Sequence, residues 1–251
     1  MVTLPEGLLG RLDAEHPHPR AFVTISGAHL YGFASRDSDV DVRGAHLLPV
    51  EQVVGLDVGR ETFTWMGDHD GVETDIVTHD LGKFCKLLLK GSGDVLEQLV
   101  SPLVLASSPV HEELLALVPQ VVTSNHAHHY GGFGRGRWRA FEAGKRLKPL
   151  LYTFRSYLTG IHLMRTGEVR PGLPELAAEY GPSYLAGLIE AKAAAEQGGL
   201  PADAPGHEVL SGDVEALSAR LEEERAASSL PPRPAAYPAL NDLVVRTRLG
   251  K

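Results

Sequence analysis

Residues 26–44 read SGAHLYGFASRDSDVDVRG, and the order of residue types along this stretch decides the fold. The segment running into it, AFVTIS at 21–26, is β-branched and aromatic and ends at Gly27, the pattern of a buried strand entering a tight turn. About a dozen residues later SDVDVRG alternates: Val40 and Val42 take one face, while Asp39, Asp41 and Arg43 take the other, as in a half-buried strand. A third strand is predicted at 72–77 (VETDIV), with Val72, Thr74 and Ile76 on one side and Glu73, Asp75 and Val77 on the other. Residues 61–66 offer a fourth.

From Asp80 the period lengthens. Leu81, Phe84, Cys85 and Leu88 recur at helical spacing behind Asp80, a suitable N-cap, and the pattern stops at Lys90 and Gly91, a basic last turn and a C-cap glycine. Cys85 falls on the apolar face and reads as buried packing, since nothing nearby in the sequence lowers its thiol pKa. Shorter helices follow at 94–100 and 111–118. Beyond residue 120 the alternation gives way to helical stretches at 138–166, 173–180, 184–196 and 213–227. An exposed loop is expected at 197–212, and prolines from Pro231 to Pro238 form a connector to a short C-terminal element. The expected fold class is α+β, with a small mixed sheet flanked by helices over residues 1–120 and a helical domain over 121–251.

The 251 residues carry 24 Lys plus Arg against 32 Asp plus Glu, a formal net charge of −8 that argues against a surface coated throughout by nucleic acid or anionic membrane. One cysteine allows no intramolecular disulfide, and no leader-like segment opens the sequence. No apolar run nears the ~18 residues of a membrane-spanning helix, so no membrane partner and a cytoplasmic location are expected. Positive charge is nonetheless concentrated locally. Between 135 and 155 stand Arg135, Arg137, Arg139, Lys145, Arg146, Lys148 and Arg155 against the single acid Glu142, interleaved with Trp138, Phe141, Tyr152 and Phe154. That composition suits phosphate neutralisation with base stacking, and equally an amphipathic helix with its cations outward. Lys148 and Arg155 lie two helical turns apart on one face with Tyr152 between them, a face able to grip a phosphate. GGFGRG at 131–136 lacks the preceding strand and spacing of a dinucleotide fingerprint and reads as a flexible turn. His126, His128 and His129 read as exposed histidines near a helix start, and His69 and His79, each followed by an aspartate, as loop and strand-end residues.

The chemistry lies in the acids. Same-face residues two apart on a strand have Cα atoms roughly 6.5–7 Å apart, so Asp39 and Asp41 can converge on one metal or bridge a pair held about 3.5–4 Å apart. The glycine turn before them lets backbone N–H groups approach a polyphosphate whose counter-cations the acids hold. A third acid would place an attacking hydroxyl. Asp75 is favoured, because an unpaired carboxylate inside a strand is costly unless it faces a metal or an open cleft; Glu73 on the same face is its competitor.

On the glycine turn, the spacer, Asp39-Val40-Asp41 and the later strand acid, the chain resembles the DNA polymerase β superfamily of nucleotidyltransferases. SDVDVRG, LGKFCKLLLKGSGDVLEQLVSPLV at 81–104 and KPLLYTFRSYLTGIHLMRTGE at 148–168 resemble its YcgL-like branch, proposed to act in RNA repair. The resemblance implies transfer of an NMP from an NTP with two Mg²⁺ or Mn²⁺ ions. Asp39 and Asp41 would bind both ions and Asp75 the one beside the acceptor. Ser26, Gly27, Ala28, Ser38, Arg43, Lys148, Tyr152 and Arg155 are the expected nucleotide-binding residues. The expected acceptor is an RNA 3′ end, extended without a template and met by the 135–155 stretch, with a protein hydroxyl or a small molecule as alternatives. The superfamily's turn is usually Gly-Gly or Gly-Ser. Ala28 has no hydroxyl to offer a β- or γ-phosphate, so Ser26 or Ser38 would have to compensate, and a non-catalytic nucleotide-binding regulator is the reading from another class.

Overall fold

The computed structural model describes residues 7–35, 38–69, 71–194 and 199–250. In chain order its first elements are α1 (Leu8–Glu15), β1 (Arg20–Ile25), α2 (Gly27–Tyr31), β2 (Val40–His46), α3 (Glu51–Val54), β3 (Thr62–His69) and β4 (Val72–Asp80). Then come α4 (Leu81–Leu89), α5 (Gly93–Val100), β5 (Val104–Ala106) and α6 (Pro109–Val121). The remainder is helical: α7 (His126–Gly144), α8 (Leu147–Thr166), α9 (Leu173–Tyr180), α10 (Leu185–Ala194), α11 (His207–Ala227) and α12 (Tyr237–Leu249). Among the described residues no helix is long and apolar enough to cross a membrane. The fold is α+β, with a mixed five-stranded sheet and a helical remainder.

Two compact units form. One contains residues 1–29, 39–121 and 234–251; the other contains 30–38 and 122–233. A single cut at residue 120 would therefore separate two segments from the units they join: 30–38 belongs with the helical part, and 234–251 with the sheet.

In the sheet-bearing unit the strand order is β3-β4-β2-β1-β5. β2 and β4 are parallel and the other pairs antiparallel. Apolar side chains from neighbouring strands make one core: Val23, Ile25, Val40, Val42 and Ile76 bury together with Leu8, and Phe63 and Trp65 flank them. β5 has three residues, too few to show a period. The chain leading into it is stitched to β1, with Thr24 Oγ1 donating to the Gln98 carbonyl at 2.8 Å and Ser101 Oγ to the Ile25 carbonyl at 2.7 Å. Helix α4 starts as its sequence predicts. Asp80 caps it by accepting from Gly82 N at 2.9 Å, Leu81, Phe84, Cys85 and Leu88 are buried, and Gly91 follows with φ +75°.

Asp80 does more than cap. Its side chain is 2 % exposed, also accepts from Leu48 N at 3.1 Å, and pairs at 2.6 Å with Arg248 of α12. The C-terminal element, expected to be short, is a 13-residue helix that starts just before Pro238 and packs on α4 and α6. Proline at the first turn of a helix forfeits no hydrogen bond, so the connector and the helix share that residue.

In the helical unit the stretch expected as one helix from 138 to 166 is two. Lys145 takes a left-handed conformation (φ 49°) and closes α7 by donating to the Phe141 carbonyl, and α8 begins at Leu147. The turn expected at 131–136 is helical and lies inside α7, because its glycines let two helices approach closely. A Cβ on Gly134 would stand 2.8 Å from the Tyr157 ring, and one on Gly160 would stand 2.9 Å from Leu221 and Tyr130. Helix α11 starts six residues earlier than Asp213, so the loop within 197–212 is shorter than expected. Residues 195–198, where the helix from 184 was to end and that loop to begin, lie outside the described residues.

Two contrasts test this packing. Arg248→Met leaves Asp80 buried without its cation and is expected to cost about 3–5 kcal/mol in urea unfolding, whereas Arg246→Met, which breaks exposed pairs to Glu113 and Asp242, should cost no more than ~1 kcal/mol. Gly134→Ala should lose about 1–3 kcal/mol by overpacking against Tyr157. Gly136→Ala, exposed with nothing near its Cβ, should gain up to ~1 kcal/mol in helix propensity.

Candidate active site

Parallel pairing of β2 with β4 sets Asp41 directly beside Asp75. Alternation then buries Val40, Val42, Thr74 and Ile76 on one face and leaves Asp41, Arg43 and Asp75 half-buried on the other. Adjacent strands are about 4.8 Å apart, so two carboxylates in this register stand side by side on one face. Arg43, two residues on from Asp41 and on the same face, supplies the compensating charge. Its Nη2 donates to Asp41 Oδ1 at 2.5 Å and to Asp75 Oδ2 at 2.8 Å, while Nη1 donates to the Asp75 and Val42 carbonyls at 2.7 and 3.0 Å. The three side chains are 17–25 % exposed, within reach of a ligand from solvent.

The glycine turn is built onto the same carboxylate. Gly27 has φ +62°, a left-handed conformation that glycine adopts without penalty, and a Cβ there would stand 1.8 Å from Asp41 Oδ2. Ser26 is buried and its N–H donates to the Asp41 carbonyl at 2.9 Å; Ala28 is buried beside it. Ser26, Gly27, Asp41, Arg43 and Asp75 are thus brought together in the sheet-bearing unit. Asp39 is half-buried one residue before β2, and Glu73 is exposed at the mouth of β4. Among the described residues no three His, Cys, Asp or Glu side chains are gathered to hold a metal ion as they stand. The cation that Asp41 and Asp75 hold is Arg43.

Ser38 turns inward. It is buried, accepts from Ser35 N at 3.0 Å and shares a hydrogen bond with Ser35 Oγ at 3.1 Å. In the helical unit, Arg155 is 1 % exposed with its guanidinium 3.7 Å from the centre of the Tyr31 ring. Tyr31 and Phe33 both meet Tyr152 edge-on, at 5.5 and 5.4 Å. Tyr152 and Lys148 are half-buried on α8, and exposed Arg137 lies over Phe133 at 4.6 Å and over Tyr152 at 5.6 Å. Arg135, Arg137, Arg139 and Arg146 are exposed, so most of the basic stretch faces water. Tyr31 and Phe33 were missed as partners of this group. Their signal was present in the aromatics of the HLYGF run inside the motif loop.

His16, His46, His79, His126 and Cys85 are held inside the fold. His126, expected to be exposed, is fully buried with Nδ1 against Thr123, and burial lowers its pKa to about 4. His16 and His46 share Thr78 Oγ1 at 2.7 and 2.8 Å, and burial holds both at about 4, neutral near pH 7. His79 hydrogen-bonds Thr62 at 3.0 Å and is also lowered, first by burial and then by Lys83 and Arg43. Burial pushes the Cys85 thiol up to about 12, the state of an inert packing residue.

Residues 5–246 match the family described as RNA repair pathway DNA polymerase beta family, RlaP. Uncharacterized protein MJ0002 of Methanocaldococcus jannaschii is 33% identical over 151 residues, which are 59% of this chain and 62% of that protein, so the match spans less than two thirds of the relative's length. A nucleotidyltransferase-like protein from Exiguobacterium sibiricum, known from a crystal structure, aligns over 97% of this chain and 78% of its own at 9% identity, with a TM-score of 0.28, too low a likeness to carry weight. The family match encloses every candidate residue named above, and the chain belongs to the RNA repair pathway DNA polymerase beta family.

Proposed function

We propose that the protein is a metal-dependent nucleotidyltransferase that moves an NMP from an NTP to an acceptor hydroxyl, that of an RNA 3′ end, without a template. The observation that carries this reading is the in-register pairing of Asp41 with Asp75 against the Gly27 turn, inside a match to an RNA repair polymerase β family over residues 5–246. In the transfer the acceptor oxygen bonds to the α-phosphorus, the bond to the β-phosphate breaks, pyrophosphate leaves, and the acceptor's proton passes to solvent.

Carboxylate oxygens without thiol or imidazole form a donor set suited to Mg²⁺ or Mn²⁺, and the presence of a guanidinium between Asp41 and Asp75 shows that this pair accommodates positive charge. Asp39, Asp41 and Asp75 would hold the ions. When bound, divalent cations supply charge neutralisation around the α-phosphate and favour the ionised acceptor hydroxyl. The chain's own residues do the positioning. Gly27 leaves room for the Asp41 carboxylate, and the turn it opens would offer backbone N–H groups to a phosphate. Ser38 is hydrogen-bonded to Ser35, and Arg43 carries charge beside both acids. In the helical unit Lys148 would neutralise phosphate, and Tyr152 with Phe133 and Arg137 would stack and neutralise an RNA strand. Arg155, buried over Tyr31, fixes that aromatic group from behind.

A second reading draws on two specific features, the missing hydroxyl at Ala28 and the arginine already seated between the acids. Both suit a protein that binds a nucleotide without transferring it. Label from each α-labelled NTP, presented with Mg²⁺ or Mn²⁺ and a single-stranded RNA bearing a free 3′ hydroxyl, separates the two. Transfer is expected in the wild type and should fall at least ~100-fold in Asp41→Asn and in Asp75→Asn, beyond the 10–100-fold that loss of a supporting group costs. Undiminished transfer in Asp41→Asn would remove the carboxylates from the chemistry, and NTP binding with no product on RNA, protein or small-molecule acceptors would favour the regulator. Gly27→Ala is expected to lose transfer to a similar degree, since its Cβ cannot coexist with Asp41 Oδ2.

A further inference from the structure

Arg43 is placed unusually for a residue that only binds a ligand. It spends both Nη atoms within the protein: Nη2 on Asp41 Oδ1 and Asp75 Oδ2, Nη1 on the carbonyls of Asp75 and Val42. The guanidinium thus sets one positive charge between two neighbouring carboxylates.

The oxygens it holds are those a divalent cation would need. The other Asp41 oxygen lies against the Gly27 backbone, where even a methyl group would not fit. We propose that Arg43 is the resident counter-cation of the carboxylate pair, and that a divalent cation gains Asp41 Oδ1 and Asp75 Oδ2 only by displacing Nη2. This rests on the reading of the acids as a cation site. The two carbonyl bonds of Nη1 make the displacement a pivot: Nη1 keeps its anchors on neighbouring strands while Nη2 swings away. No bond other than hydrogen bonds changes and no proton moves. A divalent cation carries twice the charge of the guanidinium that holds the two acids, and it binds there at an affinity reduced by the competition. A phosphate oxygen entering with the metal offers the released Nη2 a new partner, so metal and nucleotide together are better competitors than the metal alone.

The experiment is a Mn²⁺ titration of the metal-stripped full-length chain, without nucleotide, with free Mn²⁺ followed by electron paramagnetic resonance. Arg43→Gln is expected to bind Mn²⁺ at least about tenfold more tightly than the wild type, and adding Asp41→Asn should abolish the gain. Arg43→Lys keeps the charge but not the fork, and should tighten binding about threefold; it also serves as the test if Arg43→Gln fails to fold. Equal or weaker Mn²⁺ binding in folded Arg43 variants would overturn the proposal, as would tightening that survives Asp41→Asn. So would the absence of Mn²⁺ binding from the wild type and the variants alike. Because no turnover is needed, the outcomes separate. Asp41-dependent tightening in a protein that transfers no label would retain the proposal and discard nucleotidyl transfer, and active transfer with unchanged Mn²⁺ affinity would do the reverse.

Discussion

Two like charges set side by side by parallel strand pairing are the constraint around which the sheet-bearing unit is arranged. At about 5 Å and an effective dielectric near 20, a carboxylate pair repels by about 3 kcal/mol, a large fraction of the margin by which a domain is stable. Asp41 and Asp75 cannot move apart without breaking the β2–β4 register. They cannot turn to the other face without entering the core made by Val40, Val42 and Ile76. The tension is resolved locally by a third residue on the same face, Arg43, and sterically by the one residue type that leaves the second Asp41 oxygen its space, Gly27. A site that carries its own counter-charge is organised before a ligand reaches it, and a cation that binds there competes with that charge.

Much of this was legible from residue type and spacing. Period-two alternation in SDVDVRG and VETDIV placed the acids on the correct face, and the Asp80 cap with its apolar i, i+3, i+4 pattern placed α4. The shared register of Asp41 and Asp75 was not legible, because strand pairing is set by contacts between segments that no local pattern records. The glycines at 131–136 misled for a related reason. Each costs helix propensity locally, and only the partner helix, through Tyr157 and Leu221, supplies the compensating close approach. The break at Lys145 carried no sign, since a left-handed lysine looks in sequence like any other. Arg155 reads as a surface cation by composition, yet it is buried with its guanidinium over the Tyr31 ring.

The helical unit divides its positive charge into two kinds. Arg155 is desolvated over Tyr31 and holds aromatic side chains in fixed relation, whereas Arg135, Arg137 and Arg139 are exposed on α7 and screened by salt. Only the second kind can contribute the steep salt dependence that marks phosphate recognition. Cation–π contact between Arg137 and Phe133 joins the two, placing an exposed charge on the rim of an aromatic platform.

The sheet-bearing unit is completed by a helix made long after its strands. Arg248 lies 168 residues beyond Asp80, with the whole of α7 to α11 between them. At roughly 5–20 residues per second, a ribosome takes on the order of ten to thirty seconds to cross that interval. Throughout it the Asp80 carboxylate lacks its cation and the α4–α6 surface lacks its cover. Until α12 emerges, the sheet-bearing unit is the part of the nascent chain that still lacks a packing partner.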